Sequence, residues 1–269
     1  MIETVAPLAA RSRLRSVALP AEYGGWGLTA EPALLGLLIA PSRAGWCIAL
    51  GAFVAFLART PVKVALVDRR RGRVLERTRL ARRVAAVELG VLAALATGAL
   101  VLAEPGFWVP AVVALPLVAV EGWFEVRSRG RRLVPELAAA VAVCSVAAMV
   151  VLADGQSGRL AAGVWLVLAA RVATSLPHVR AQIARLRQRP SQPWAASAGD
   201  LAAVALSAGA VVLDRSLLAG AAAVLVLITI QRRAESRPVP RPVVVGMRQT
   251  AMGIVVVLVT AIGVLASAT

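Results

Sequence analysis

Nine apolar stretches run along this chain, at approximately 24–40, 44–62, 84–103, 107–125, 134–153, 160–178, 199–214, 216–232 and 246–267, and arginines crowd into every second interval between them. A hydrocarbon core about 30 Å thick is crossed by roughly 20 residues of helix. Inside lipid the backbone polar groups must be satisfied within the segment, which makes stretches of this length helices. The 269 residues are 59% apolar and 16% charged, with a mean hydropathy of +0.78. Soluble domains average about 45–50% apolar and about 25% charged. A soluble enzyme, a disulfide scaffold, a disordered tail and a collagen are thereby excluded. The expected fold is all-α, a polytopic membrane protein of about nine transmembrane helices. Two places are weaker. The first stretch contains Glu31-Pro32, and proline removes a backbone donor. The seventh and eighth are short and separated only by Leu213-Asp214-Arg215, which fits a tight hairpin or one broken pair.

The formal charge of +16 comes from 30 basic residues, all arginine except Lys63. With residues 1–23 on one side and strict alternation, 27 of them fall on that side. Only Arg43, Arg159 and Arg215 fall on the other. Cytoplasmic loops keep the excess of basic residues. The expected location is therefore the plasma (inner) membrane, with the N-terminus cytoplasmic and the C-terminus outside. The same rule accounts for the charge without nucleic acid. The ten-base segment after the second stretch has no aromatic residue for base stacking, so nucleic acid is not an expected partner.

Residues 1–23 form an N-terminal cytoplasmic segment, and 24–269 a single transmembrane domain. Glu3 and three arginines interrupt the first fifteen residues, which argues against a cleaved signal peptide. Residues 5–19 alternate small apolar residues with arginine, as an interfacial helix or a disordered tail would. Long cytoplasmic loops are expected at 63–83 and 179–198, and an extended one at 234–242, where Pro238, Pro240 and Pro242 recur. Cys47 and Cys144 sit at different depths, too far apart for a disulfide. His178 is the only histidine, and no CxxC, HExxH or haem-attachment motif occurs. No metal site is expected, and the cofactor is left open.

Ionisable groups inside a membrane are costly and mark function by default. Glu31 sits about two turns into the first stretch and Glu88 one turn into the third. Arg59 ends the second, and Arg171 lies nearly two turns inside the sixth. All fall in the cytoplasmic half. Glu121 and Glu125 share a helix face at i, i+4, while Glu136 and Asp200 open their helices. A polar cavity open to the cytoplasm is expected, approached by Glu31, Arg59, Glu88 and Arg171. Glu88 and Arg171 satisfying each other as a buried pair is the alternative. The segments Arg59-Thr60-Pro61-Val62-Lys63 and Ser175-Leu176-Pro177-His178-Val179-Arg180 each join a proline to a following base, four helices apart, as two repeated halves would.

The run Leu19-Pro20-Ala21-Glu22-Tyr23-Gly24-Gly25-Trp26 resembles the opening of the YwiC-like membrane protein family, which reads Pro-x-Glu-His-Gly-x-Trp there. Phe56 to Pro61 and Val179-Arg180 look similar to that family as well. The chain departs from it at Tyr23, where the family has His. The resemblance implies a layout similar to the UbiA-type prenyltransferase superfamily: a helical bundle with a cytoplasmic cavity under the loops after helices two and six. In that superfamily both loops carry Asp-rich motifs that hold Mg²⁺ on a prenyl diphosphate. Here the first loop offers Asp68 and Glu76, and no acid lies between Arg171 and Arg189.

The expected function is therefore binding of an isoprenoid or other anionic lipid-like ligand in that cavity, with arginines in place of the metal. Catalysis is doubtful, because the Asp-rich motifs are missing. The ligand-binding candidates are Glu22, Glu31, Arg59, Lys63, Glu88, Arg171, His178 and Arg180; catalytic residues are unassigned. The alternative is a non-enzymatic accessory subunit of a membrane complex, or a small-molecule transporter. The expected partners are the lipid bilayer, such a ligand, and in the alternative the other subunits.

Overall fold

The computed structural model describes residues 23–72, 75–127, 132–190 and 193–267. Nine α-helices account for most of them, and among the described residues there is no strand. They are α1 (Tyr23–Ile39), α2 (Arg43–Arg70), α3 (Glu76–Leu102), α4 (Val109–Val126), α5 (Leu133–Ala153), α6 (Gly158–Leu186), α7 (Pro193–Leu213), α8 (Leu218–Glu235) and α9 (Pro242–Ser267). Seven of these are long and apolar enough to cross a membrane. The chain is a polytopic helical membrane protein, as its apolar pattern requires. The interfacial helix or tail expected over 5–19, and Glu22, lie outside the described residues.

Short polar signals end the helices. Ser42 and Ser157 cap α2 and α6, accepting from the amides of Gly45 and Leu160 at 3.0 and 3.1 Å. The seventh and eighth stretches form a tight hairpin: Asp214 accepts from the Ser216 amide at 3.0 Å and starts a single 3₁₀ turn, Arg215–Leu217. Prolines 32, 61, 116 and 177 lie inside helices, which neighbouring helices make tolerable in a membrane.

Hydropathy marks where the apolar stretches end, and three helices run on past them. Residues 63–70 and 76–83 continue α2 and α3, and 179–186 continues α6. The two expected long loops are therefore largely helical. Their Arg, Ala and Leu content favours helix, and Gly72 (φ +62°) stands at the first turn between α2 and α3. Pro61 and Pro177 each lie nine residues before the last residue of their helix.

α6 is the hub. It packs against α5, α7, α8 and α9, while α1 packs against α2, α5 and α9. Leu35, Val151, Val164, Leu168, Val224 and Val257 form the main core, each almost wholly buried. Small residues let the backbones close. A Cβ on Gly199 would run into the Ala173 carbonyl of α6, and one on Gly163 into Leu217. α3 packs chiefly on α2, and α4 chiefly on α5. Their outward faces expose Val87, Leu100, Val101, Val113 and Leu115, as a lipid-facing surface does. Trp26, Trp46, Trp108, Trp123 and Trp194 are all exposed and near helix ends, the placement of interfacial tryptophans.

Candidate functional site

Successive helices alternate in direction, so the ends richest in arginine meet at one end of the bundle, here termed the basic end. Its ion pairs join the helix ends that alternation brings together. Arg59 and Lys63 on α2 pair with Glu121 and Glu125 on α4, the former at 2.5 Å. Arg180 on α6 donates to Glu136 on α5 at 2.6 Å. The i, i+4 spacing on α2 matches the i, i+4 spacing on α4, which makes a two-rung ladder.

Deeper in the bundle, Arg171 meets Glu31 rather than Glu88. Its Nη2 donates to Glu31 Oε1 at 2.7 Å and to the Gln249 carbonyl at 2.9 Å. Both side chains are about 5% exposed, and Arg171 Nε is buried without a partner. The pair ties together α1, α6 and α9. It fits because residue 253 is glycine: a Cβ there would overlap the Glu31 carboxylate and the Arg171 guanidinium.

A chain of neutral polar groups runs from this pair toward the basic end. Gln231 on α8 donates to Ser175 at 3.1 Å and reaches Gln249 at 3.5 Å. Thr174 contacts both Asp200, at 2.5 Å, and Gln231, at 3.0 Å. A hydroxyl has one proton, so it donates to the Asp200 carboxylate or to Gln231 Oε1, one at a time. Asp200 also accepts from Arg232 Nε at 2.6 Å. Glu235 lies 3.4 Å from Arg232 and 3.7 Å from His178 Nδ1, and His178 Nε2 is 3.0 Å from Gln182. Four helices therefore present one connected polar wall.

That wall borders a cavity of about 420 Å³ between α6, α8, α9 and the 236–241 bend. His178, Gln182, Gln231 and Gln249 line its inner side, with Ile230, Val245 and Met252 beside them. Arg233, Arg237 and Arg248 also line it. All three are exposed and make no ion pair with a described residue. Arg185 donates to the carbonyls of Glu235 and Arg237 at 2.6 and 3.1 Å, which fixes the bend that carries Arg237.

The sequence candidates thus separate. Glu31 and Arg171 meet each other directly behind Gln249, and His178 is in the cavity wall. Arg59, Lys63 and Arg180 are engaged in ion pairs away from the cavity lining. Glu88 lies on α3, half-buried, with Oε2 shielded from solvent and unpartnered. None of Glu31, Arg59, Glu88 and Arg171 lines this cavity. Arg233, Arg237 and Arg248 were legible only as topology markers; the proline-rich bend that brings α8 and α9 together was the available signal. Among the described residues no group of three His, Cys, Asp or Glu side chains is placed to hold a metal ion. Both Cys47 and Cys144 are free thiols.

No curated protein and no solved structure matches the chain. The sequence model of the YwiC-like protein family matches residues 19–151, a little under half of the chain, from the segment before α1 into α5.

Proposed function

We propose that this protein is a YwiC-like membrane protein that binds an anionic, lipid-like molecule in the cavity between α6, α8 and α9, on the cytoplasmic side. The observation that carries this reading is the set of three exposed arginines, with no ion pair to a described residue, around a cavity with a neutral polar and apolar lining. Guanidinium forks match phosphate and carboxylate oxygens. Ile230, Val245 and Met252 suit an apolar chain such as an isoprenoid. A volume near 420 Å³ falls in the range of small-molecule sites. The excess of arginines at this end supports its cytoplasmic placement. Nine helices among the described residues, with a cavity at that end, support a UbiA-like bundle as the scaffold; Gln182 of the α6 extension lines this cavity, whereas the segment after α2 does not.

The arginines act directly on the head group, since the carboxylates near the cavity, Asp200 and Glu235, are engaged by Arg232. Mg²⁺ held by protein carboxylates is not part of the reading. Titration of the purified protein with a short prenyl diphosphate, with and without chelator, tests this. Saturable binding that survives the chelator and weakens with salt is expected. Binding abolished by the chelator would overturn the metal-free reading. The exposed apolar flank of α3 favours a second reading, an accessory membrane subunit, and the absence of saturable binding in either condition would favour it.

A further inference from the structure

The extensions of α2 and α3 form a helical hairpin past the apolar stretches. Residues 63–70 and 76–83 each add about 10 Å at roughly 1.5 Å per residue. A single carboxylate staples its turn. Asp68 is 1% exposed and accepts from Arg77 Nε and Nη2 at 3.3 and 3.1 Å and from the Thr78 hydroxyl at 2.6 Å. Thr78 in turn accepts from the Leu75 amide at 3.2 Å. Around this staple Arg69, Arg70, Arg71, Arg79, Arg82 and Arg83 are exposed and make no ion pair with a described residue.

Among the described residues, the other carboxylates at the basic end are already engaged. Asp68, Glu121, Glu125, Glu136, Asp200 and Glu235 already sit in ion pairs, and Glu76 has a partner of its own. These hairpin arginines are therefore open to a complementary charge from outside the described residues. Arg82 and Arg83 lie next to the apolar stretch that begins at residue 84. Arg69, Arg70 and Arg71 stand about 10 Å further out, beyond a Debye length of about 8 Å at physiological salt. A membrane surface is therefore a poor partner for the tip. Leu66, Val67 and Leu75 are exposed beside the arginines, and they suit a partner with apolar side chains among its charges. The hairpin has no aromatic side chain on which a nucleobase could stack.

We infer that the tip of the α2–α3 hairpin is a docking surface for an acidic segment of a partner protein, a Glu- or Asp-rich run with interspersed apolar residues. The staple holds the arginines in place before binding, so little order must be gained on docking. This inference is independent of the cavity and of its ligand.

The test uses the full chain in nanodiscs of phosphatidylcholine and a labelled Glu-rich peptide carrying two leucines. Saturable binding is expected, weakened about tenfold by R69Q/R70Q/R71Q. Asp68→Asn separates docking from bulk attraction. It makes the hairpin more positive, so bulk attraction predicts tighter binding, whereas loss of the staple predicts binding several-fold weaker. Should D68N not purify folded, Thr78→Val removes the hydroxyl that bonds both Asp68 and the Leu75 amide without changing charge, and the same weakening is expected. The inference is overturned if binding is not saturable, if D68N binds as tightly as the unmodified chain or more tightly, or if T78V binds unchanged. It is also overturned if an RNA oligonucleotide of equal length binds more tightly than the peptide, or if nanodiscs containing phosphatidylserine abolish peptide binding.

Discussion

Arg171 uses one terminal nitrogen for both Glu31 and the Gln249 carbonyl, and its Nε has no partner. Removing one member of such a buried pair leaves the other uncompensated, at a cost of about 3–5 kcal/mol, while replacing both with apolar residues of similar size is nearly neutral. Glu31→Ala or Arg171→Ala is therefore expected to lower the thermal midpoint of the protein in detergent strongly. The double replacement E31L/R171M should recover most of the loss. A double variant no better than the singles would refute the pair as a dispensable tie. Gly253→Ala inserts a methyl group between the two charges and is expected to cost about 1–3 kcal/mol by overpacking. Asp68 lies in the extension past the apolar stretch. Hydrogen bonds from Arg77 and then Thr78 hold its carboxyl below the ordinary value of 3.8. A lowered value means that the stabilisation is present above 3.8 and lost as pH falls through the lower folded value. Peptide binding by the hairpin should accordingly be flat between pH 5 and 8; a fall within that window would show that another group governs it.

At the scale of helices, the apolar stretches located all nine elements, because crossing a bilayer demands long runs of apolar residues whatever their neighbours. They missed the ends of α2, α3 and α6, where arginine-rich helix continues into water. Glu121 and Glu125 were legible as sharing a face of α4, but Arg59 and Lys63 were not legible as their partners, because pairing between helices depends on packing. The same holds for Glu31 and Arg171, 140 residues apart. Depth in the membrane marked both residues, and only the bundle joined them. Gln231, Gln249, Thr174 and Ser175 carried a weaker signal, neutral polar groups in otherwise apolar helices. The α2–α4 ladder is partly exposed, with Arg59 and Lys63 side chains about half in solvent. Exposed pairs contribute about 0–1 kcal/mol each. E121Q/E125Q is thus expected to lower stability by under about 2 kcal/mol, with the loss shrinking in high salt. A salt-independent loss well above that figure would mean that the ladder is a buried tie rather than a surface one.

At the scale of the whole molecule, the split of 27 basic residues to 3 gives the bundle an expected direction, N-terminus cytoplasmic and C-terminus outside. A reporter fused after Thr269 that is active only outside the cytoplasm is expected to be active, and one active only in the cytoplasm silent; the reverse would invert the bundle. The position of the ligand site then separates two readings of the basic end. The sequence alone, among its eight candidates, assigned the head group to Arg59, Lys63, Arg171 and Arg180, under the segments after helices two and six. The structure places Arg233, Arg237 and Arg248 around the cavity, with no ion pair to a described residue. Hydrogen bonds to charged groups contribute about 1.5–3 kcal/mol, and the low end applies to exposed arginines. Two such contacts amount to roughly a hundredfold in affinity. The deciding measurement is the dissociation constant for a short prenyl diphosphate in R233Q/R237Q/R248Q and in R59Q/K63Q, each against the unmodified chain. The cavity reading expects about a hundredfold weakening in the first and little change in the second. Weakening confined to R59Q/K63Q would contradict it and return the site to the α2 side of the bundle.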